Sequence, residues 1–151
     1  MTDIVDKNTR SRMMAGIKSK DTKPELLVRR FLHSRGFRYR LHVKKLPGSP
    51  DIVLTRARLV ILVHGCFWHR HAGCKLATTP DQNCQKWDEK FRQNIDRDAR
   101  QIQQLLEEGW RVLVIWECGL KSAVHSLEWL DNFVRNDDTR FAEWPEAKTK
   151  L

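Results

Sequence analysis

Apolar and polar positions along the chain fall into helical and extended periods. In "DTKPELLVRRFLHSRG" the period is helical, and Leu27, Val28, Phe31 and Leu32 make one apolar face. Thr22 and Glu25 have capping-box spacing, Pro24 sits in the first turn, and Gly36 ends the helix. From Phe37 to Lys44 the period changes to two. Phe37, Tyr39, Leu41 and Val43 alternate with Arg38, Arg40, His42 and Lys44, which predicts a half-buried strand. "LPGSP" is a turn, "DIVLT" begins a second strand, and "RLVILV" is a third. The third is apolar on both faces and so belongs at the centre of a sheet. A long helix follows from about Gln85 to Glu108, with Trp87, Phe91, Ile95, Ile102, Leu105 and Leu106 on its buried side and Gly109 as its cap. "RVLVIW" is a fourth core strand, ending at Glu117 and Cys118, and "SAVHSLEWLDNFVRN" a last helix. A further short helix is expected near Ser11 to Lys18. This order predicts one α/β domain with a mixed sheet, whose functional residues collect at strand ends.

Composition narrows the class. Lys and Arg total 28 against 19 acids, a net charge of +9 over 151 residues. Such an excess favours a polyanionic partner, nucleic acid above all. The longest aliphatic run, Leu59 to Val63, is far short of the roughly 20 residues of a membrane span. The start of the chain is polar, with no secretory leader, so a cytoplasmic protein without membrane contact is expected. In that compartment the 4 cysteines are thiols or metal ligands rather than a disulfide framework.

The richest chemistry is in "HGCFWHRHAGC", His64 to Cys74, at the end of the predicted central strand. Cys66, His71 and Cys74 are N/S donors of the kind zinc prefers, and a structural site needs a fourth. Cys118, at the rigid end of "RVLVIW", is a better fourth ligand than Cys84 in a loop. His64 and His69 then remain for proton transfer. Asp51 follows Pro50 and opens a strand, where a carboxylate can hold a hard cation such as magnesium. Cation, phosphate and histidine together make a coherent phosphodiester-hydrolysis site. Each residue alone also has a bland explanation, as turn chemistry or a buried thiol.

"DKNTRSRMM", "DTKPE", "LPGSPDIV", "HGCFWHRH", "NIDRDAR" and "GWRVLVIWEC" occur in that order between about Asp6 and Leu120. Together they resemble the successive motifs of the very short patch repair (Vsr) DNA mismatch endonucleases. The resemblance implies a restriction-endonuclease-like fold with a structural zinc ion. It also implies a magnesium-dependent nick beside the thymine of a T:G mismatch, the product of 5-methylcytosine deamination. Residue by residue, it makes Asp51 the magnesium carboxylate, joined by the main-chain carbonyl of Val63. His64 and His69 become the catalytic histidines, and Glu25 and Asp98 supporting acids, with Asp98 orienting a histidine or a water. Cys66, His71, Cys74 and Cys118 match the zinc set. Phe67 and Trp68, read as exposed, match a wedge that enters DNA next to the mismatch, and Trp87 a further aromatic in it.

Three positions depart from the family pattern. Val63 stands where a well-known member has threonine, but the main-chain carbonyl is retained. The loop from His71 to Cys74 is one residue longer, with Gly73 as the slack. Cys84 has no counterpart role. The expected organisation is a DNA-contacting arm over 1–20, an endonuclease domain over 21–135 and a tail over 136–151. Arg10, Arg12, Lys18, Lys20, Lys44 and Lys45 are available to bases or phosphates. The expected partner is double-stranded DNA, bound by a monomer, with a functional link to a DNA cytosine methyltransferase and to mismatch-repair proteins. Two rivals differ in class: a zinc-stabilised DNA-binding module without catalysis, and a restriction-type nuclease on the same fold. The module leaves Glu25, Asp51 and Asp98 unexplained, since acids repel phosphates unless a cation intervenes.

Overall fold

"RLVILV" and "RVLVIW" form the centre of the molecule, as strands β3 (Leu59–His64) and β4 (Arg111–Trp116) of a computed structural model. They pair in parallel, with His64 opposite Trp116. The structure describes residues 22–71, 74, 76–78, 82–121, 127–136 and 138–145. The expected helix at 11–18, the whole arm with Arg10, Arg12, Lys18 and Lys20, Gly73, residues 122–126 of the last predicted helix and the tail beyond 145 lie outside them.

Among the described residues the order is α1 (Lys23–Ser34), β1 (Arg40–Leu41), β2 (Ile52–Leu54), β3, α2 (Cys66–His69) and α3 (Cys84–Glu107), then β4, α4 (Glu117–Lys121), α5 (Glu128–Asn136) and β5 (Phe141–Trp144). The five strands lie in sequence order. β1–β2 and β2–β3 are antiparallel, while β3–β4 and β4–β5 are parallel. Helices cover both faces of this mixed sheet. Val28 and Leu32 of α1 and Leu130, Phe133 and Val134 of α5 pack with Ile61, Leu113 and Ile115. Leu105 of α3 packs with Val60, Val112 and Val114 on the other side. The alternation within β3 and β4 thus feeds two cores. Each fully buried Leu or Ile contributes roughly 1.5–3 kcal/mol.

The helix boundaries follow the expected punctuation. Thr22 caps α1 by accepting from the Glu25 N–H at 3.4 Å, and Gly36 and Gly109 follow α1 and α3 at φ +81 and +90. Four details differ from expectation. β1 has only two paired residues, and Leu41 is exposed, because His42 leaves the extended region at φ 47 and ends the ladder. Leu27 and Ile95 are exposed rather than core. In their helices the polar Glu25 and Asn94 are buried beside the apolar residues that face the sheet, Val28 and Leu32 in α1 and Phe91 and Leu105 in α3. A one-turn helix, α4, follows β4 directly. The segment read as a tail supplies β5, which pairs with β4 from Val112↔Phe141 to Ile115↔Trp144.

The basic excess is partly structural. Arg111 donates to Phe133 O and Val134 O at 3.3 and 3.2 Å, and Arg58 to Glu108 O at 3.3 Å. These arginines stand where β3 and β4 begin and satisfy helix C-terminal carbonyls. The other end of the same strands carries the polar chemistry.

Candidate active site

β2 runs antiparallel to β3, so the entry to β2 lies beside the exit of β3. Asp51 occupies that entry, and its Oδ2 accepts the main-chain N–H of Val63 at 2.9 Å. Behind it, Glu25 is 2% exposed, forms an ion pair with Arg29, and lies 3.4 Å from His42 Nε2. Arg29 Nη2 also donates to His42 Nε2 at 3.1 Å. Glu25, His42 and Asp51 each bring a ligand atom within 4.8 Å of the others. Burial pushes the Asp51 carboxyl up to about 6; the Val63 N–H opposes this and the Glu25 charge adds to it. Neighbouring carboxylates that disfavour each other's charge, joined by an imidazole, suit a divalent cation.

His64 ends β3, and His69 comes from α2. Their rings stack with centroids 3.9 Å apart and planes 7° apart. His69 Nδ1 donates to Asp98 Oδ2 of α3 at 2.6 Å, which fixes the tautomer and leaves Nε2 as the other ring nitrogen. Burial, with the His69 charge adding, pushes His64 down to about 3, so it is neutral near pH 7. Asp98 is expected to orient a histidine or a water, and the structure places it in hydrogen-bond contact with His69.

Phe67 and Trp68 are half-buried, not exposed as expected. The reason is α3, whose first turns offer Trp87 and Phe91. Phe67 meets Trp68, Trp87 and Phe91 edge-on at 5.0, 5.8 and 5.3 Å, and Trp68 lies 5.8 Å from Trp87. Phe67 and Trp68 line the same cleft as Asp51, Val63, His64, His69 and Asp98, a space of about 900 Å³. Glu25 lies behind its wall and Trp87 outside it.

Cys66, His71, Cys74 and Cys118 form a second group, with all four ligand atoms within 4.8 Å of one another. His71 Nδ1 is 3.8 Å from Cys66 Sγ and 3.4 Å from Cys118 Sγ, and its ring stacks on Trp116 at 4.4 Å. Burial pushes the Cys66 and Cys118 thiols up. Such a group fits a thiophilic cation that replaces the thiol protons. Cys84, exposed at the start of α3, is not a member.

Comparison with known proteins places the chain in a family. Residues 2–75 match the family model of the DNA mismatch endonuclease Vsr. The chain is 44% identical over 121 residues to the DNA mismatch endonuclease Vsr of Escherichia coli, covering 80% of this chain and 77% of that one. The chain belongs to the Vsr DNA mismatch endonuclease family. It is therefore an endodeoxyribonuclease, and DNA is its substrate. Other Vsr-like relatives are named as nicking enzymes. The type II nicking enzyme V.XorIIP of Xanthomonas oryzae pv. oryzae is 48% identical over 120 residues, 80% of this chain and 88% of that one. V.NmeAIP of Neisseria meningitidis is 44% identical over 135 residues, 89% and 96% of the two chains. Among the described residues no helix is long and apolar enough to cross a membrane.

Three cleft residues of this Vsr-family chain escaped the sequence reading. The period of two puts His42 on the outer face of a strand, yet its left-handed φ brings it to Glu25 and Asp51. Asn94 is buried, donates to Trp68 O at 3.1 Å and accepts from Arg97 at 3.2 Å. Its spacing of three from Phe91 was the available signal, since it places both on one helix face. Glu117 accepts the Cys66 N–H at 3.1 Å. No periodicity marks it, because it lies just past the last residue of β4.

Proposed function

We propose that this chain nicks one strand of duplex DNA beside the thymine of a T:G mismatch, using magnesium. One observation carries the reading: a single cleft holds both Asp51 and the stacked His64–His69 pair with Asp98, and has Phe67 and Trp68 in its wall. A binding module has no use for acids and oriented histidines in its DNA cleft. The motifs that resemble the family's, and the relatives named as nicking enzymes, support cutting of one strand.

In this reading Asp51 and the Val63 main-chain carbonyl hold the magnesium ion, and Glu25 with His42 supports Asp51. A magnesium ion there supplies positive charge opposite the phosphate as charge develops on its oxygens. His69, with Asp98 fixing Nδ1, uses Nε2 to move a proton to or from an oxygen at the scissile phosphate. Neutral His64 fixes the plane of that ring by stacking. Cys66, His71, Cys74 and Cys118 hold zinc, which ties α2 to the end of β4. Phe67, Trp68 and Trp87 form the wedge. Unstacking costs less at a mismatched step, so a wedge discriminates where phosphate contacts cannot. The mixed sheet with helices on both faces suits a restriction-endonuclease-like fold. A monomer acting in the cytoplasm, linked to a cytosine methyltransferase and to mismatch-repair proteins, completes the proposal.

The test is competition between T:G and fully paired duplexes of the same sequence, with magnesium or with chelator. One-strand cleavage of the T:G duplex in magnesium is expected. Equal cleavage of both duplexes, or cleavage of both strands, would favour a restriction-type nuclease, and binding without cleavage a DNA-binding module.

A further inference from the structure

Helix α2 carries Cys66, Phe67, Trp68 and His69 in a single turn. A helix of that length does not hold itself together, because nucleation costs more than one turn returns. Its N-cap, Gly65, has no side chain to satisfy the first N–H groups. The Cys66 N–H instead donates to Glu117 Oε1 at 3.1 Å, from the residue that follows β4. The parallel register explains the encounter: His64 faces Trp116, so the next residues on each strand leave the sheet side by side. The Glu117 carboxylate also lines the cleft, and its cationic partner is Lys121, 3.6 Å away and largely exposed. An acid in a cleft meant for phosphates is unfavourable unless it serves another purpose. The Cys66 N–H supplies one, since the Glu117 oxygen satisfies a donor that the one-turn helix leaves without an intrahelical partner.

We infer that Glu117 is a positioning residue for strand cleavage: it caps α2 from outside and sets the place of His69, Phe67 and Trp68 against the cleft. Its neighbour Cys118 joins Cys66 in the four-donor group, so α2 is tied to the end of β4 twice, once through side-chain donors and once through Glu117. The capping bond acts on the backbone of the turn that carries His69, and a small displacement of an aligned group can cost on the order of 100-fold in rate. The inference rests on the reading of His69 as a proton-transfer residue.

Three variants separate reach from charge. Glu117→Gln keeps an oxygen at the same reach without the charge. Glu117→Asp keeps the charge but is one methylene too short. Glu117→Ala removes both. We expect single-turnover nicking to fall at least about tenfold in Glu117→Asp and Glu117→Ala, and to recover to within about threefold of the parent in Glu117→Gln. Hydrogen exchange of the Cys66 amide, followed by NMR, should speed up at least about tenfold in the Asp and Ala variants only. A Gln variant as defective as Ala would overturn the proposal, because the charge itself would then be the requirement. So would an Asp variant that nicks normally. The Asp and Gln pair decides the matter even where Glu117→Ala does not fold. A His69→Ala control completes the test. Normal nicking by it would overturn the underlying reading of the site, whereas a defective control beside a normal Glu117→Ala would overturn the role of Glu117 alone.

Discussion

The main-chain N–H of Val63 holds Asp51 Oδ2 at 2.9 Å, fixing a carboxylate that burial makes costly to ionise. Its carboxyl titrates near 6 against an ordinary 3.8. The folded chain therefore binds this proton more tightly than the unfolded chain does. Stability from this group is present below pH 3.8 and lost as pH rises through 6. Asp51→Asn keeps an oxygen for the Val63 N–H and removes the charge. In chelator at pH 7.5 it should raise the stability of the metal-free protein, by on the order of 3 kcal/mol. The gain should vanish below about pH 4. Melting curves across pH check this, and an Asp51→Asn that melts lower at pH 7.5 would contradict it.

His64 has the opposite slope. Its imidazole is pushed from 6.5 down to about 3, so the unfolded chain binds the proton more readily. Stability from this group is present above pH 6.5 and lost as pH falls towards 3. His64→Gln should flatten that acid limb, and Asp51→Asn should steepen it. Urea unfolding of both variants between pH 4 and 7 measures the two slopes. Parallel slopes would show that neither group titrates as burial dictates.

Asp98 fixes the His69 tautomer through a 2.6 Å bond. Asp98→Asn can present its N–H₂ to Nδ1 and favour the other tautomer, leaving a proton on Nε2. Nicking should fall roughly 10²–10⁴-fold, the range for losing an aligned proton-transfer group. DNA affinity should stay within about threefold of the parent. A rate within tenfold of the parent would remove Asp98 from the mechanism.

The four-donor group predicts a contrast between cysteines. Cys118→Ser should lose zinc and melt earlier, because binding energy at a structural site is also folding energy. Cys84→Ser should do neither, since Cys84 lies outside the group. Elemental analysis with melting curves decides it. Full zinc occupancy in Cys118→Ser would count against the assignment.

Phe67 and Trp68 rest half-buried on Trp87 and Phe91, so truncating them has a folding cost as well as a recognition cost. The pair Phe67→Ala and Trp68→Ala should lower the melting point yet fold below it, since aromatic contacts are worth about 0.5–1.5 kcal/mol each beyond their buried area. Preference for T:G over paired duplex should drop roughly tenfold, the equivalent of about 1.4 kcal/mol of unstacking cost. A folded double variant with its full preference would eliminate the wedge.

The central strands were legible because β3 and β4 are apolar on both faces, a pattern that surface elements do not share. The four-donor group was legible from donor types and from the rigidity expected where β4 ends. Leu27 and Ile95 misled because a periodic apolar stripe was assumed to set each helix face. The buried faces centre on Val28 and Leu32 and on Phe91 and Leu105, and they take in Glu25 and Asn94 while leaving Leu27 and Ile95 outside. β5 was missed because four residues ending an acidic stretch carry little period, and its first residue is exposed. His42 and Glu117 act through a left-handed φ and a strand-end encounter, and tertiary register of that kind leaves no local trace.

The most direct test sets binding beside chemistry in one residue. Single-turnover nicking of a T:G duplex in magnesium should be lost in Asp51→Asn, by at least about a thousandfold, while a gel shift of the same duplex stays near that of the parent. Normal nicking by Asp51→Asn would contradict the account, because the cation would then sit elsewhere and the cleft would not be where the strand is cut.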